Sequence, residues 1–433
     1  MKLGLVIQYY DSRNDVRELV AQISKLHTCC IFASEQDCAN VKEPIEKRSF
    51  SGNHKSFKAR LLRKIFHWFG TIPKSHNNFL ITEMFKLSWL NQKQQKAGRK
   101  RLQWRMRLPN FFHIERLHKL SANIDQTPIE DIDAFLFITE ICNDFFLAKV
   151  LKTKTPAYAY VYSWDHPCKH TNLPRNLTGY FTWNSQIAED LHELLDIPTE
   201  KIISTGATQL SYIADYLNTE KTNENESNYI IFGCSVGYPE FVTQEVKLIS
   251  KIANILKKVS PSTKLIVRPY PFLGNWKFYD ALREHSNIEF DDEYRKGKKD
   301  KSLTNKDIWE KLHLMDNALA FLHTGTTLGL ECCYLNCPSL FIDLEDFNYG
   351  VDHSHPLHLS KFIHQYQLDK YLNLDSYPNT IRKTEDLEPH LKEVTSNPSP
   401  YLPYNNFVAS NTPLRKLEDI AKHMVQAMQQ TSI

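Results

Sequence analysis

The sequence has no apolar run approaching the roughly 18 residues that a membrane span requires. Its first residues, Met1 to Tyr9, form a short apolar run of strand length. They lack the longer apolar core and cleavage site of a signal peptide, so a cytoplasmic protein is expected. The nine cysteines, at 29, 30, 38, 142, 168, 234, 332, 333 and 337, show no CxxC spacing. An odd number scattered over candidate strands and helices argues for reduced, mostly buried thiols and against zinc. There is no internal repeat and no low-complexity tract. Acidic residues are scarce in one segment: 42–119 carries 19 Lys and Arg against 4 Asp and Glu, whereas the rest of the chain carries 34 against 46. Such an imbalance speaks about partners rather than about fold.

What is present is alternation. A chain of 433 residues, 42% apolar and 24% charged, is long enough for two or three domains with sizeable cores. "LGLVIQY" (3–9) and "TCCIFAS" (28–34) read as buried strands around a helical "VRELVAQISKL". After the basic segment come the strands "DAFLFITE" (133–140), "AYAYVYSW" (157–164), "GYFTWN" (179–184) and "KIISTG" (201–206). The helices "CNDFFLAKVLK" (142–152) and "SQIAEDLHELL" (185–195) lie among them. The polar "KTNENESN" (221–228) reads as a linker, after which the pattern restarts. It continues with "YIIFG" (229–233), a long helix at 243–259, "TKLIVR" (263–268), "NIEF" (287–290), a helix at 307–318, "ALAFLH" (318–323), a short helix and "PSLFID" (338–343). Strands alternating with helices imply parallel, doubly wound sheets. The expected organisation is an acceptor domain at 1–222 with a basic, partly helical insertion at 42–120. A nucleotide-sugar domain at 223–405 follows, and an amphipathic C-terminal helix at 406–433 packs back toward the first.

Ligands of open parallel sheets bind beyond the carboxyl ends of the strands. In the second domain those ends are "GCSVG" (233–237), "RPYP" (268–271) and "HTGTT" (323–327). The last opens a helix, where free N–H groups and the macrodipole favour an anion. Thr326 and Thr327 can donate hydroxyl hydrogen bonds, Gly325 lets the backbone approach, His323 adds a donor, and Arg268 can reach phosphate or base. The alternative is that Thr324 or Thr326 only caps the helix and His323 is a packed strand end.

"HTGTTLGLE" (323–331) resembles the donor-binding core of GT-B glycosyltransferases, His-x-Gly-x-x-(Ser/Thr)-x-x-Glu. That resemblance implies two Rossmann-like doubly wound α/β domains facing a cleft. It implies phosphate contacts at His323, Gly325, Thr326 and Thr327, with Thr324 in the same turn, and a ribose contact at Glu331. The sixth position is Leu328, so the phosphate role falls on Thr326 and Thr327. "SWDHPCKH" (163–170) and "GYFTWNSQIAEDLHELLDIPTEKIISTGATQL" (179–210) are similar to the first domains of bacterial surface-polysaccharide transferases of the capsule and lipopolysaccharide types. "RPYP" sits where some of these carry His-Pro, with Tyr270 in place of the histidine. Gly233 and Ser235 complete the implied donor site. The substrate is then a nucleotide-sugar, with no further cofactor and no metal.

Inverting glycosyl transfer needs a base for the acceptor hydroxyl. Asp165 and Glu140 each end a candidate strand and are the candidates, although Asp165 can equally cap its loop. His166, Lys169 and Arg175 are candidates for holding an acidic acceptor. "DID" (131–133) matches the Asp-x-Asp of the other major glycosyltransferase fold but precedes its strand. Asp352, His353, His355 and His358 resemble metal ligands in type, but no further cluster completes them.

In "SFKARLLRKIFHWFG" (56–70), Phe57, Leu61, Ile65 and Phe69 recur every four residues beside Lys58, Arg60, Arg63 and Lys64. "KAGRKRLQWRMR" (96–107) interleaves cations with Trp104 and Met106. Both suit an anionic membrane surface, each nearby cation contributing about 1 kcal/mol. The alternative for the first is a core helix with a solvated basic face. No recognised module accompanies these segments, which argues against nucleic acid. The function expected is transfer of a sugar from a nucleotide-sugar to a lipid-linked or surface-polysaccharide acceptor at the cytoplasmic membrane face. A CDP-glycerol-type polyol-phosphate transferase and a non-hydrolysing nucleotide-sugar epimerase are the alternatives.

Overall fold

In the computed structural model the described residues are 1–8, 10, 14–70, 83, 87, 92–138, 144–161, 163, 173–219, 228–235, 239–270, 276–291, 305–335, 337–345 and 376–430. The chain divides into two compact units, one of Met1–Tyr212 with Leu414–Ile433, the other of Ile213–Pro413.

The first unit is built on a seven-stranded sheet in the order β3-β2-β1-β4-β5-β6-β7. Its strands are β1 (Lys2–Ile7), β2 (Thr28–Ala33), β3 (Glu46–Ser49), β4 (Ala134–Ile138), β5 (Ala157–Tyr160), β6 (Gly179–Thr182) and β7 (Ile202–Ser204). Every pairing is parallel; Leu3 lies beside Cys29 on one side and Ala134 on the other. Strands such as AFLFI are buried along their whole length, as expected where helices cover both faces of a parallel sheet. The terminal helix Leu417–Gln430 packs on the helix Asn14–Leu26 and buries Ile420, Met424 and Met428.

The basic insertion departs from the sequence reading in one respect: it opens with a strand. β3 has the sequence EKRS, with two exposed and two half-buried residues, and no hydrophobic alternation announces it. As an edge strand it gains its ladder from β2 while its charges remain in water, an arrangement that also discourages pairing with other chains. Beyond it, the helix Phe57–Phe69 packs Ala59 and Leu62 against Leu117, Ile124 and Phe145.

The second unit holds a six-stranded parallel sheet in the order β10-β9-β8-β11-β12-β13. These are β8 (Tyr229–Gly233), β9 (Lys264–Arg268), β10 (Ile288–Phe290), β11 (Ala320–His323), β12 (Ser339–Ile342) and the short β13 (Thr380–Ile381). The chain winds outward from β8 through β9 and β10, then returns to start again at β11 on the other side of β8. The strand order therefore reverses between β8 and β11, the place where doubly wound sheets receive ligands. Each unit is a doubly wound α/β domain.

Candidate functional site

At the reversal point of the second sheet, the ends of β8 and β11 are joined by buried polar contacts centred on a residue the sequence reading passed over. Glu245, from the helix Pro239–Val259, is fully buried. One carboxyl oxygen accepts the Ser235 N–H at 3.1 Å and the Thr324 hydroxyl at 2.8 Å. The other accepts the Tyr279 hydroxyl at 2.8 Å. Ser235 Oγ lies 2.8 Å from Thr324 Oγ1 and donates to the Gly325 carbonyl at 3.1 Å. Burial pushes the Glu245 carboxyl up to about 7, against the hydrogen bonds that favour its charged form. A carboxylate deep in protein must be neutral or fully solvated by donors; this one stands at the balance. It ties the loop after β8 to the turn after β11.

That turn is 323–327. His323 is buried, and its Nδ1 accepts the Gly325 N–H at 3.2 Å. Nε2 therefore carries the ring proton and donates to Ser339 Oγ at 3.1 Å. Burial lowers its pKa to about 3, so the ring is neutral and both nitrogens serve the fold. Gly325 has φ +114°, a region that a side chain would strain. Thr326 caps the helix Thr327–Cys332, its hydroxyl accepting the Leu328 N–H at 3.4 Å. Thr324 is buried, whereas Thr326 and Thr327 are half-buried.

The other donor-site candidates are placed as follows. Gly233 ends β8 under the Phe321 ring, where a Cβ would stand 2.2 Å from the ring carbon. Arg268 ends β9 and forms a buried ion pair with Asp291. Tyr270 is partly exposed, and its carbonyl accepts the Trp276 indole N–H at 3.0 Å. Glu331 is buried and pairs with Lys311 of the helix Asn305–Asp316. The structure thus gathers Ser235, Thr324, Gly325, Thr326 and Thr327 at the reversal point. The polar atoms of His323, Arg268 and Glu331 are engaged with protein partners.

In the first unit the strand order reverses between β1 and β4. Gln8, just past β1, has a buried side-chain oxygen that meets no hydrogen-bond donor among the described residues. Nearby in sequence, the buried carboxylate of Asp15 accepts from Thr208 Oγ1 at 2.8 Å. Arg175 lies 3.0 Å from Asp196 as an ion pair. Glu140, Asp165, His166 and Lys169 lie outside the described residues, as do Asp352, His353, His355 and His358. Asp131 and Asp133 sit at the opposite, N-terminal edge of the sheet. There Asp131 pairs with Lys2 and Arg48, each at 2.6 Å, and Asp133 accepts the Lys2 N–H at 2.6 Å. Among the described residues no group of three or more His, Cys, Asp or Glu could hold a metal ion, and no helix is long and apolar enough to cross a membrane.

No protein-family model and no curated protein matches the chain. Solved structures do. The chain is similar over 99% of its length to S. aureus MnaA in a co-structure with UDP, at 10% identity and TM-score 0.51, covering 96% of that chain. A Listeria monocytogenes protein, provisionally a UDP-N-acetylglucosamine 2-epimerase, matches over 99% of this chain and 96% of its own at 11% identity and TM-score 0.51. A glycosyltransferase from Rickettsia africae matches over 99% and 98% at 11% identity and TM-score 0.49. At such identities the likeness to the S. aureus and Listeria structures establishes the fold alone, a GT-B-like pair of doubly wound domains.

Proposed function

We propose that this chain binds a nucleotide-sugar at the turn 323–327 and transfers its glycosyl group, without a metal ion, to a lipid-linked or surface-polysaccharide acceptor at the cytoplasmic membrane face. The observation that supports this reading is the half-buried Thr326–Thr327 pair at the β8/β11 reversal point, on a turn held in place by Glu245. A diphosphate needs donors fixed in advance where negative charge grows as the sugar leaves. The two hydroxyls are assigned that role, and Gly325 keeps the approach open. The base is assigned to Asp165, with Glu140 as the alternative; His166, Lys169 and Arg175 are assigned to the acceptor. Of the ribose and phosphate contacts expected at Glu331, His323 and Arg268, each requires the present partner to be shared with the ligand.

The test is calorimetry of nucleotide binding after a thermal-shift screen, with UDP first because the S. aureus co-structure holds it. Thr326→Ala with Thr327→Ala should weaken binding at least tenfold, since each lost hydrogen bond to a charged group is worth about 1.5–3 kcal/mol, while stability falls by no more than the roughly 1 kcal/mol of a lost helix cap. Unchanged affinity would refute the phosphate assignment. The Listeria likeness supports a second reading, a nucleotide-sugar epimerase. Incubation with UDP-GlcNAc and no acceptor separates the two: the epimerase forms an epimer, the transferase does not. Release of CMP from CDP-glycerol would indicate the polyol-phosphate transferase instead.

A further inference from the structure

The helix Phe57–Phe69 has two apolar faces. At about 100° per residue, Ala59, Leu62 and Phe66 share one side, and Phe57, Leu61 and Trp68 fall within about 40° of one another on the other. The first side packs on Leu117, Ile124 and Phe145. The second does not: Phe57 is 75% exposed and Leu61 43%. Its end is continued by another helix, Gln92–Arg107, whose Trp104 meets Trp68 edge-on at 6.4 Å and is itself 62% exposed. A helix that only closes a core has no use for this second stripe, and contiguous exposed apolar side chains mark an interaction surface.

The charges around the row have one sign. Neither helix contains an Asp or Glu, and the exposed Lys58, Arg60, Lys64, Lys100 and Arg101 border the row at helical spacing. Arg105 adds a buried cation. Its Nε donates to the His67 carbonyl at 2.9 Å, but among the described residues its NH1 has no acceptor. A buried guanidinium without a carboxylate is costly, and an external field of negative charge offsets that cost. A second copy of this surface would bring cation against cation. A polynucleotide would satisfy the cations and leave Phe57 and Leu61 in water. A bilayer surface offers both phases at once.

We propose that Phe57, Leu61, Trp68 and Trp104 lie in the interfacial layer of an anionic lipid bilayer, with the bordering cations over the headgroup phosphates. This names the partner of the membrane-face part of the function proposed above. No nucleotide enters its test, so its failure leaves the donor site standing.

The full chain is sedimented with phosphatidylcholine vesicles with and without phosphatidylglycerol. Binding should require the anionic lipid and weaken as salt rises. Phe57→Ala with Leu61→Ala should reduce it about tenfold or more, and Arg101→Gln about fivefold. The substituted side chains are exposed, so the melting temperature should not move; if the double variant does unfold, Trp104→Ala serves as the apolar test. Equal partition to neutral and anionic vesicles, or anionic binding indifferent to these apolar substitutions, overturns the proposal. So does salt-sensitive binding to duplex DNA in the absence of vesicle binding, which would make the surface a polynucleotide site.

Discussion

Glu245→Gln offers the sharpest physical test of the site. The Glu245 carboxyl is raised from its ordinary 4.5 to about 7 by burial. The folded protein therefore holds this proton more tightly than the unfolded chain. Stability from this group is greatest below about 4.5 and falls as pH rises toward 7, where the folded carboxyl gives up its proton. Each pH unit between those two values corresponds to about 1.36 kcal/mol, so the whole loss is about 3 kcal/mol. Glutamine preserves the oxygen that accepts from Ser235 and Thr324, and its amide can donate to the Tyr279 hydroxyl. It does not titrate. The assay is urea denaturation of both proteins at pH 4.5 and pH 7.5, followed on the transition of the second unit, where Trp276 is buried. Other titrating groups act alike in both proteins and cancel in the difference. Cys234 and Tyr279, which touch the carboxyl, are both pushed upward by burial and stay neutral throughout. The wild type should lose about 3 kcal/mol more than the variant across this range. Equal pH dependence in the two would mean that Glu245 is charged throughout, and that the turn 323–327 rests on an ordinary carboxylate.

Two further outcomes follow from a buried ion pair and half-buried hydroxyls. Lys311→Met leaves Glu331 buried without its partner and should cost about 3–5 kcal/mol by denaturation; adding Glu331→Gln should restore part of it, and no restoration would show that the ion pair is not what the site needs. The Thr326→Ala, Thr327→Ala double variant, by contrast, should change the unfolding midpoint by no more than the roughly 1 kcal/mol of a lost cap, while losing nucleotide affinity.

The architecture was legible because buried parallel strands leave continuous apolar runs, and AFLFI, YIIFG and AFLH needed no tertiary information to be read. β3 and β13 were not legible. EKRS has no apolar residue at all, and Thr380–Ile381 is only two residues long; each is a strand because a neighbour supplies the ladder. The turn 323–327 was legible by its chemistry, since glycine beside hydroxyls after a strand is a local signal. Its support was not, because Glu245 is far from the turn in sequence and a charged residue in a helix is ordinarily read as solvated. One signal was available: Val242, Glu245, Ile249 and Ile252 follow the spacing of a single helix face, and the three apolar members are buried with the acid among them. Partners such as Lys311 for Glu331 carry no local signal. The helix at 57–69 was read as one apolar stripe at a spacing of four, whereas the structure packs Ala59 and Leu62, outside that stripe, into the core and leaves Phe57 and Leu61 exposed.

The two units use charge in opposite ways, and salt distinguishes them. Around the turn 323–327 Arg268 and Lys311 are each paired with a carboxylate, and the groups proposed to meet a phosphate there are uncharged hydroxyls. Dipoles fixed in a half-buried site are weakly screened, and nucleotide affinity should change little between low and physiological ionic strength. In the basic insertion the cations of the helices Phe57–Phe69 and Gln92–Arg107, other than Arg105, lie exposed without acids on their own helices, and screening over about 10 Å at 0.1 M salt acts directly on them. Vesicle affinity should therefore fall steeply over the same range. If nucleotide affinity proves the steeper of the two, Arg268 leaves Asp291 to bind the phosphates, and the turn is a hinge around a mobile cation instead of a fixed cradle.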